Sequence, residues 1–424
     1  MGDNGGHPPH AGMTMNPMPQ DMLPIEDART AILQRIRPVG ANERVQVRDA
    51  LGRVLAEDVI APCNVPAHDN SAMDGYAVRF GDLSGEAETR LAVVGSAFAG
   101  RPFTGQISAG QAVRIMTGAP IPAGADTIVA QETTRDEDGA VVIGPGHRRG
   151  QNLRRAGEDL ALGGVALPAG KLCGAAELGL IASLGIVEVS VHRRLRVAFF
   201  STGDEVASIG RPLSPGQIYD SNRYTLHGAL TRLGCELLDM GVIPDDPAQI
   251  EATFRDASEN ADVILTSGGV SVGEADFIRE LVSRLGEVSF WQIAIKPGRP
   301  MAFGRVGKAW MFGLPGNPVA VMVTFHAFVR DALLSMQGVS PLPAAPTFDA
   351  VCDADIRKRP GRREYIRARF VWRDGAPHVV PVGSQGAGVL KSMSEANCFI
   401  VLAHESGGVT AGERVPVQPF HGLM

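Results

Sequence analysis

The stretch LRVAFFSTGDE (195–205) decides how the middle of this chain folds. Residues 195–200 form an apolar run of strand length, and the run ends in a polar turn carrying Asp204 and Glu205. The same event recurs downstream. Residues 263–266 run into SGGVSVGEAD (267–276), and residues 310–312 run into LPGNP (314–318). A further strand-like run covers 236–242. Helical patterns cover 221–234, 247–260 and 274–285, the last expected to stop at Gly286. Residues 318–336 form a long helix, apolar almost all round, as a buried helix is. Strands alternating with helices imply a parallel, doubly wound sheet.

Outward from this α/β unit the rhythm changes. Residues 24–37 place Ile25, Ala28, Ile32, Leu33 and Ile36 on one helical stripe. Glu26 and Asp27 in its first turn and Arg35 and Arg37 in its last suit the helix dipole. From 59 to 155 short β-like runs (91–94, 113–116, 127–130, 140–143) are broken by Gly and Pro, which reads as a small β-rich unit. After Pro341–Pro346 come the runs 348–352, 364–372, 378–382, 399–402 and 415–419, a small barrel or sandwich. The fold class is therefore α/β plus β, in several domains, as 424 residues require.

Composition removes several function classes. The net charge of −6 argues against a nucleic-acid sleeve or a basic membrane-surface protein. The five cysteines are scattered and never form a CxxC pair, which argues against a zinc site or a disulfide framework and fits a reducing compartment. No apolar run is expected to span a bilayer, which takes roughly 20 residues. Residues 1–21 lack a basic start followed by an apolar stretch, so they read as a disordered leader rather than a secretory signal.

Chemistry is expected at the carboxyl ends of the strands, where open α/β sheets bind ligands. The 201–205 turn offers hard carboxylate oxygens suited to Mg²⁺ on a phosphate, and acidic capping of a helix start is the other reading. Gly268 and Gly269 let the backbone approach an anion closely, if the loop is not simply flexible. Pro318 opens a helix whose free amides would face an anion. KPGRP (296–300) holds Lys296 and Arg299 on a stiff segment, as phosphate or oxyanion binding requires. In the N-terminal half, residues 66–77, 114–122 and 157–160 are polar turns that either cap structure or line a site. No GxSxG elbow, P-loop or HExxH helix occurs.

Seven collinear strings carry a resemblance: DNSAMDGYA (69–77), RIMTGAPIPAGAD (114–126), STGDE (201–205), GQIYDSN (216–222), SGGVSVGEAD (267–276), IKPGRPMAF (295–303) and LPGNPVA (314–320). In this order they resemble the molybdopterin molybdotransferases of the MoeA and gephyrin E-domain type, over roughly residues 22 to 424. The resemblance implies an elongated N-terminal dimerisation domain from 22–66 and 155–193, with a β-rich domain (67–154) inserted. An α/β molybdopterin-binding domain (194–340) and a C-terminal β domain (341–424), barrel-like, would follow.

It also implies a cytoplasmic homodimer that inserts molybdate, its co-substrate, into adenylylated molybdopterin and releases AMP with the help of Mg²⁺. The pterin adenylyltransferase and apo-molybdoenzymes would be its partners, with no role for nucleic acid or membrane. Asp69, Asp159, Glu205 and Asp245 would be catalytic, and Glu205 and Asp69 would meet the metal. Thr117, Ser267, Gly268, Gly269, Asp276, Lys296, Arg299, Pro315, Gly316, Asn317, Pro318 and Arg367 would bind substrate. Asp69, Thr117 and Asp159 would reach the site of the partner subunit.

The chain departs from the family pattern at His68 for Phe, Gln292 and Arg299 for Lys, and Ala387 for Ser. A related pterin adenylyltransferase usually carries Gly-Gly-Thr-Gly where this chain has Gly268-Gly269-Val270-Ser271, and it lacks the outer domains. A non-catalytic carrier or scaffold would have no need of the acidic set.

Overall fold

The computed structural model describes residues 22–268 and 275–420, the side chains of residues 275–279 and of Phe290 excepted. Its centre is a six-stranded sheet. Strands Glu236–Ile243, Arg196–Thr202, Val263–Ser267 and Ala309–Leu314 lie side by side and parallel, followed by Pro300–Val306 and Gly286–Gln292, which are antiparallel. The alternation of Phe199 and Phe200 shows why both faces are covered, because successive side chains in a strand point to opposite sides. Phe199 enters a core with Leu226, Leu230, Phe312 and Phe328, under the helices Ser221–Arg232 and Pro318–Met336. Phe200 meets Phe254 of helix Pro247–Asn260 edge-on, with ring centroids 5.3 Å apart. The helix Pro247–Asn260 starts where Asp246 caps the Gln249 amide and Pro247 needs no donor.

The sheet is mixed, not wholly parallel as the alternation of elements implied. Gly286 does not simply stop a helix; it opens a strand and pairs with Val306. A Cβ at Gly286 would meet the Arg305 carbonyl, so the residue that reads as a helix stop is a close strand contact. Helix Pro318–Met336 is long and apolar enough to cross a bilayer, which the sequence reading overlooked, but most of it is buried in the core. Its middle, Phe325–Val329, loosens into a π turn.

Helix Ile25–Arg35 lays Ile25, Ala28 and Ile32 on this same core. A separate layer then forms from both ends of an excursion: Asn42–Gln46 pairs antiparallel with Glu188–His192, and Val59–Ile60 with Val165–Leu167. Between them lies a six-stranded sheet ordered Thr127–Ala130, Gly75–Val78, Gln111–Ile115, Thr89–Ala97, Ala140–Ile143, Thr134–Glu137. After residue 347, strands Phe348–Cys352, Arg363–Arg373, Ala376–Pro381, Cys398–Leu402 and Arg414–Pro419 close into a five-stranded barrel, which decides between barrel and sandwich. Ile295–Lys296 adds to its edge beside Arg363 and Glu364. All five cysteines are free, and all but Cys63 are buried.

Candidate active site

The parallel strands end level. Thr202 stands opposite Ile243, Ser201 opposite Ser267, and Ser267 opposite Leu314. The turns that leave these ends surround a cavity of about 500 Å³. Ser201 and Ser267 share a hydroxyl–hydroxyl hydrogen bond of 2.9 Å at its floor. Glu205 stands at its exposed edge, and Gly316, Asn317 and Pro318 form the opposite wall. Gly268 lines it at φ +92°, and a Cβ there would meet the Thr202 carbonyl. Behind Glu205, Asp204 and Asp245 exchange amide-to-carboxylate bonds of 3.3 and 3.2 Å, which tie two strand ends together.

Two expectations about this cavity need correction. The Gly268 amide donates to the Leu314 carbonyl at 3.2 Å, so it completes the sheet instead of cradling an anion. The start of helix Pro318–Met336 is not open either. Pro318 has no N–H, and the Val319 amide donates to the Ala387 carbonyl at 3.1 Å. That contact comes from backbone, so the exchange of Ser for Ala at 387 leaves it intact. Pro315 does not line the cavity. Gly269 lies outside the described residues, as does the side chain of Asp276.

The barrel completes the wall. Gly388 and Leu390 line the cavity, and the loop carrying them is held by Arg367. Arg367 is 1% exposed. Its guanidinium donates to the Ser384 and Gly386 carbonyls at 2.9 Å each and to Ser392 Oγ at 3.0 Å. Burial lowers its pKa from the ordinary arginine value. Arg367 was expected to bind substrate; the structure spends these donors on its own loop. It also borders a second cavity of about 230 Å³ with Lys296 and Arg357. Lys296 Nζ is paired with Glu364 at 3.0 Å, whereas Arg299 is exposed.

Asp69, Thr117 and Asp159 sit elsewhere and line neither cavity. Asp69 accepts from the Ala156 amide at 2.8 Å and from Arg155 Nη1 at 2.7 Å. The amide first, and then the guanidinium, hold its carboxyl below the usual carboxylate range. Thr117 gives both its amide and its hydroxyl to Asp74, at 2.7 Å each. The Asp159 amide donates to the Val65 carbonyl, and its carboxylate is exposed.

Sequence reasoning missed Asp220 and Asn222 as site residues, although both line the strand-end cavity. Asp220 precedes a helix and reads as its cap, which it is: Oδ1 accepts the Arg223 amide at 3.1 Å. The signal lay in GQIYDSN (216–222), where an unusually polar stretch follows a turn.

Three family models cover the chain: the MoeA N-terminal region (domains I and II) over residues 23–185, a probable molybdopterin binding domain over 198–335, and the MoeA C-terminal region (domain IV) over 349–420. A molybdopterin molybdenumtransferase of Haemophilus influenzae is 44% identical over 405 residues, covering 95% of this chain and all of that protein. The chain belongs to the MoeA family. A second relative of the same name, from Nostoc, is 34% identical and covers 96% of both chains. The crystal structure of the molybdopterin biosynthesis MoeA protein of Pyrococcus horikoshii superposes with a TM-score of 0.80 at 29% identity, covering 94% of this chain and all of that one. Most of the strand-end cavity lies in the stretch that matches the molybdopterin-binding model, its residues Gly388 and Leu390 come from the MoeA C-terminal region, and the Asp69 cluster lies in the MoeA N-terminal region.

Proposed function

We propose that this chain is a transferase of molybdenum cofactor biosynthesis that takes adenylylated molybdopterin and molybdate and releases AMP and molybdenum cofactor. The observation that carries the reading is the cavity of about 500 Å³ at the level ends of the parallel strands, rimmed by Glu205. The breaking bond is the phosphoanhydride, attacked by water, so AMP departs with the adenylyl phosphorus. Glu205 acts at this anhydride, Asp245, which does not line the cavity, supports that edge through its bonds with Asp204, and Ser267, Gly268, Gly316, Asn317 and Pro318 form the walls against which the substrate rests. Lys296, Arg299 and the second cavity serve the molybdate end, where Arg357 adds charge. Arg367 contributes by holding the wall loop. Gly269 and Asp276 join this substrate-binding set by the family likeness alone.

Mg²⁺ suits the donors at the cavity edge. No group of three or more His, Cys, Asp or Glu side chains is poised for a metal among the described residues. Mg²⁺ is commonly held by one or two carboxylates together with substrate phosphates, and it would neutralise phosphate charge there. Glu205 would hold it. Asp69 fits that role less well, because both of its oxygens already accept hydrogen bonds. Asp69, Thr117 and Asp159 act on the site of a second copy in a cytoplasmic homodimer. The pterin adenylyltransferase and apo-molybdoenzymes stand before and after it.

The test is AMP release from adenylylated molybdopterin and Mg²⁺, with and without molybdate. Molybdate-dependent AMP, with product that activates an apo-molybdoenzyme, is the expected result. Tight binding of substrate with no AMP under any oxyanion would show a carrier instead.

A further inference from the structure

The strand-end cavity carries three polar atoms that the protein leaves without a partner: Thr202 Oγ1, Asp220 Oδ2 and Asn222 Oδ1. Thr202 and Asp220 are 5% and 3% exposed. Buried polar atoms nearly always find a partner within the protein or in ordered water, so three such atoms around one cavity ask for a ligand.

The chemistry of the missing partner follows from what is already satisfied. Asp220 is not short of positive charge. Its Oδ1 accepts the Arg223 amide, and Arg223 Nε, itself without a hydrogen-bond partner, forms an ion pair with Oδ2 at 3.5 Å. What Oδ2 lacks is a hydrogen-bond donor at normal distance. Asn222 donates its Nδ2 to the Gly316 carbonyl at 2.7 Å, which fixes Oδ1 as a second waiting acceptor. Thr202 supplies a hydroxyl that can give or take. A carboxylate with both oxygens free would grip the amidine-like edge of a heterocycle, but here one oxygen is committed to the helix cap. Two separate acceptors, each without a donor, call for a ligand that brings two donors, as the neighbouring hydroxyl groups of a sugar do.

We infer that Asp220 and Asn222, with Thr202 beside them, bind the 2′,3′-diol of the ribose in the adenylyl group. The inference rests on the proposed reading that the substrate is adenylylated. It goes beyond that reading by assigning the Asp220–Asn222 part of the cavity to the sugar, with Glu205, whose carbonyl accepts the Ile218 amide, in the same cavity for the phosphate side. Recognition of a ribose hydroxyl by a carboxylate at the end of a strand is sound chemistry in other α/β sheets as well.

The experiment is a calorimetric titration of the full chain, with Mg²⁺ present, using AMP, 2′-deoxy-AMP and 3′-deoxy-AMP. Each deoxy compound should bind roughly ten- to a hundredfold more weakly, because one buried acceptor is left bare. Asp220→Ser keeps an oxygen for the helix cap while removing Oδ2. It should bind AMP more weakly than the wild type and lose the discrimination at one of the two hydroxyls. Equal binding of all three nucleotides by the wild type overturns the assignment and leaves the proposed function standing; so does undiminished discrimination in Asp220→Ser. Failure of the wild type to bind either AMP or adenylylated molybdopterin overturns the reading on which the assignment rests, and the assignment with it.

Discussion

The strand-end cavity and the Asp69 cluster handle their polar groups in opposite ways. In the cavity, Thr202, Asp220 and Asn222 each keep an atom without a protein partner. In the cluster, Asp69 is bound by Arg155 and Ala156, and Asp74 takes both donors of Thr117, although the buried Asn70 Oδ1 beside them also lacks a partner. The cavity therefore has hydrogen-bonding capacity to offer a ligand, whereas the cluster has mostly used its own to fix loop shape. A site that must discriminate benefits from the first state. A group that must stay ionised and aimed benefits from the second, since prior hydrogen bonds hold a carboxylate charged and in place. The two regions together suggest a division between recognition and placement.

The largest effect should come from the exposed edge of the cavity. Glu205→Ala should lower AMP release by roughly 10²- to 10⁴-fold, the usual range for a positioned acid, base or metal-side carboxylate. Single-turnover AMP release with saturating substrate measures it. A fully active variant would remove Glu205 from the chemistry and with it the claim that this edge faces the phosphates.

Next is Arg367, where the barrel meets the cavity. Arg367→Ala leaves the Ser384 and Gly386 carbonyls and Ser392 Oγ without their donor, inside a packed loop. Loss of such buried, charge-assisted bonds should cost about 3 kcal/mol of stability, read from denaturant melts. If Arg367 instead served substrate, stability would hold and only substrate affinity would fall. That outcome would return the second cavity to the anion-binding role read from sequence.

Gly268→Ala tests how tightly the cavity floor is built. A side chain at φ +92° is strained, and its Cβ would press on the Thr202 carbonyl. About 2 kcal/mol of destabilisation is expected from the backbone strain and the contact together, again from denaturant melts. A neutral result would mean that the turn relaxes easily, and the sharp shape claimed for the cavity would be wrong.

These regions were not equally legible in the sequence. Strands Thr127–Ala130, Ala140–Ile143 and Phe348–Cys352 and helix Pro247–Asn260 follow from local pattern, because each carries its own period, cap or bounding turn. The antiparallel pair Gly286–Gln292 and Pro300–Val306 did not, since Gly286 after a helix reads as a stop until its contact with Arg305 is seen. Glu205 and Asn317 were visible because they sit on exposed turns after strands, whereas Ser267 is buried at its strand end and stood out only through the Gly-rich stretch that follows it. Asp220 was hidden by its helix cap, since one oxygen takes the Arg223 amide and only tertiary packing shows that the other has no hydrogen-bond partner. Arg367 misled because the family resemblance made it a substrate ligand, and only tertiary packing shows that its donors are used by Ser384, Gly386 and Ser392.

The smallest expected effect is also the sharpest test of the contrast between the regions. Asp69 owes its lowered pKa first to the Ala156 amide and then to Arg155. Arg155→Ala removes the second influence and keeps the first, so the carboxyl should move part of the way back up toward its ordinary range. A depressed carboxyl stays ionised to lower pH. The stabilisation from its salt bridge is present above the unfolded carboxylate value and is lost as pH falls through the depressed one. Because the pair is exposed, the stability of the variant at neutral pH should hardly change. Activity should instead report the shift. If ionised Asp69 is needed, the acid limb of the AMP-release profile moves to higher pH in Arg155→Ala, while the rate at neutral pH, where the carboxyl is ionised in both proteins, hardly changes. An acid limb that stays in place while the rate falls evenly would mean that Arg155 shapes the loop and that Asp69 does not set the titration. The cluster would then be structural, and the recognising cavity would have to carry the chemistry by itself.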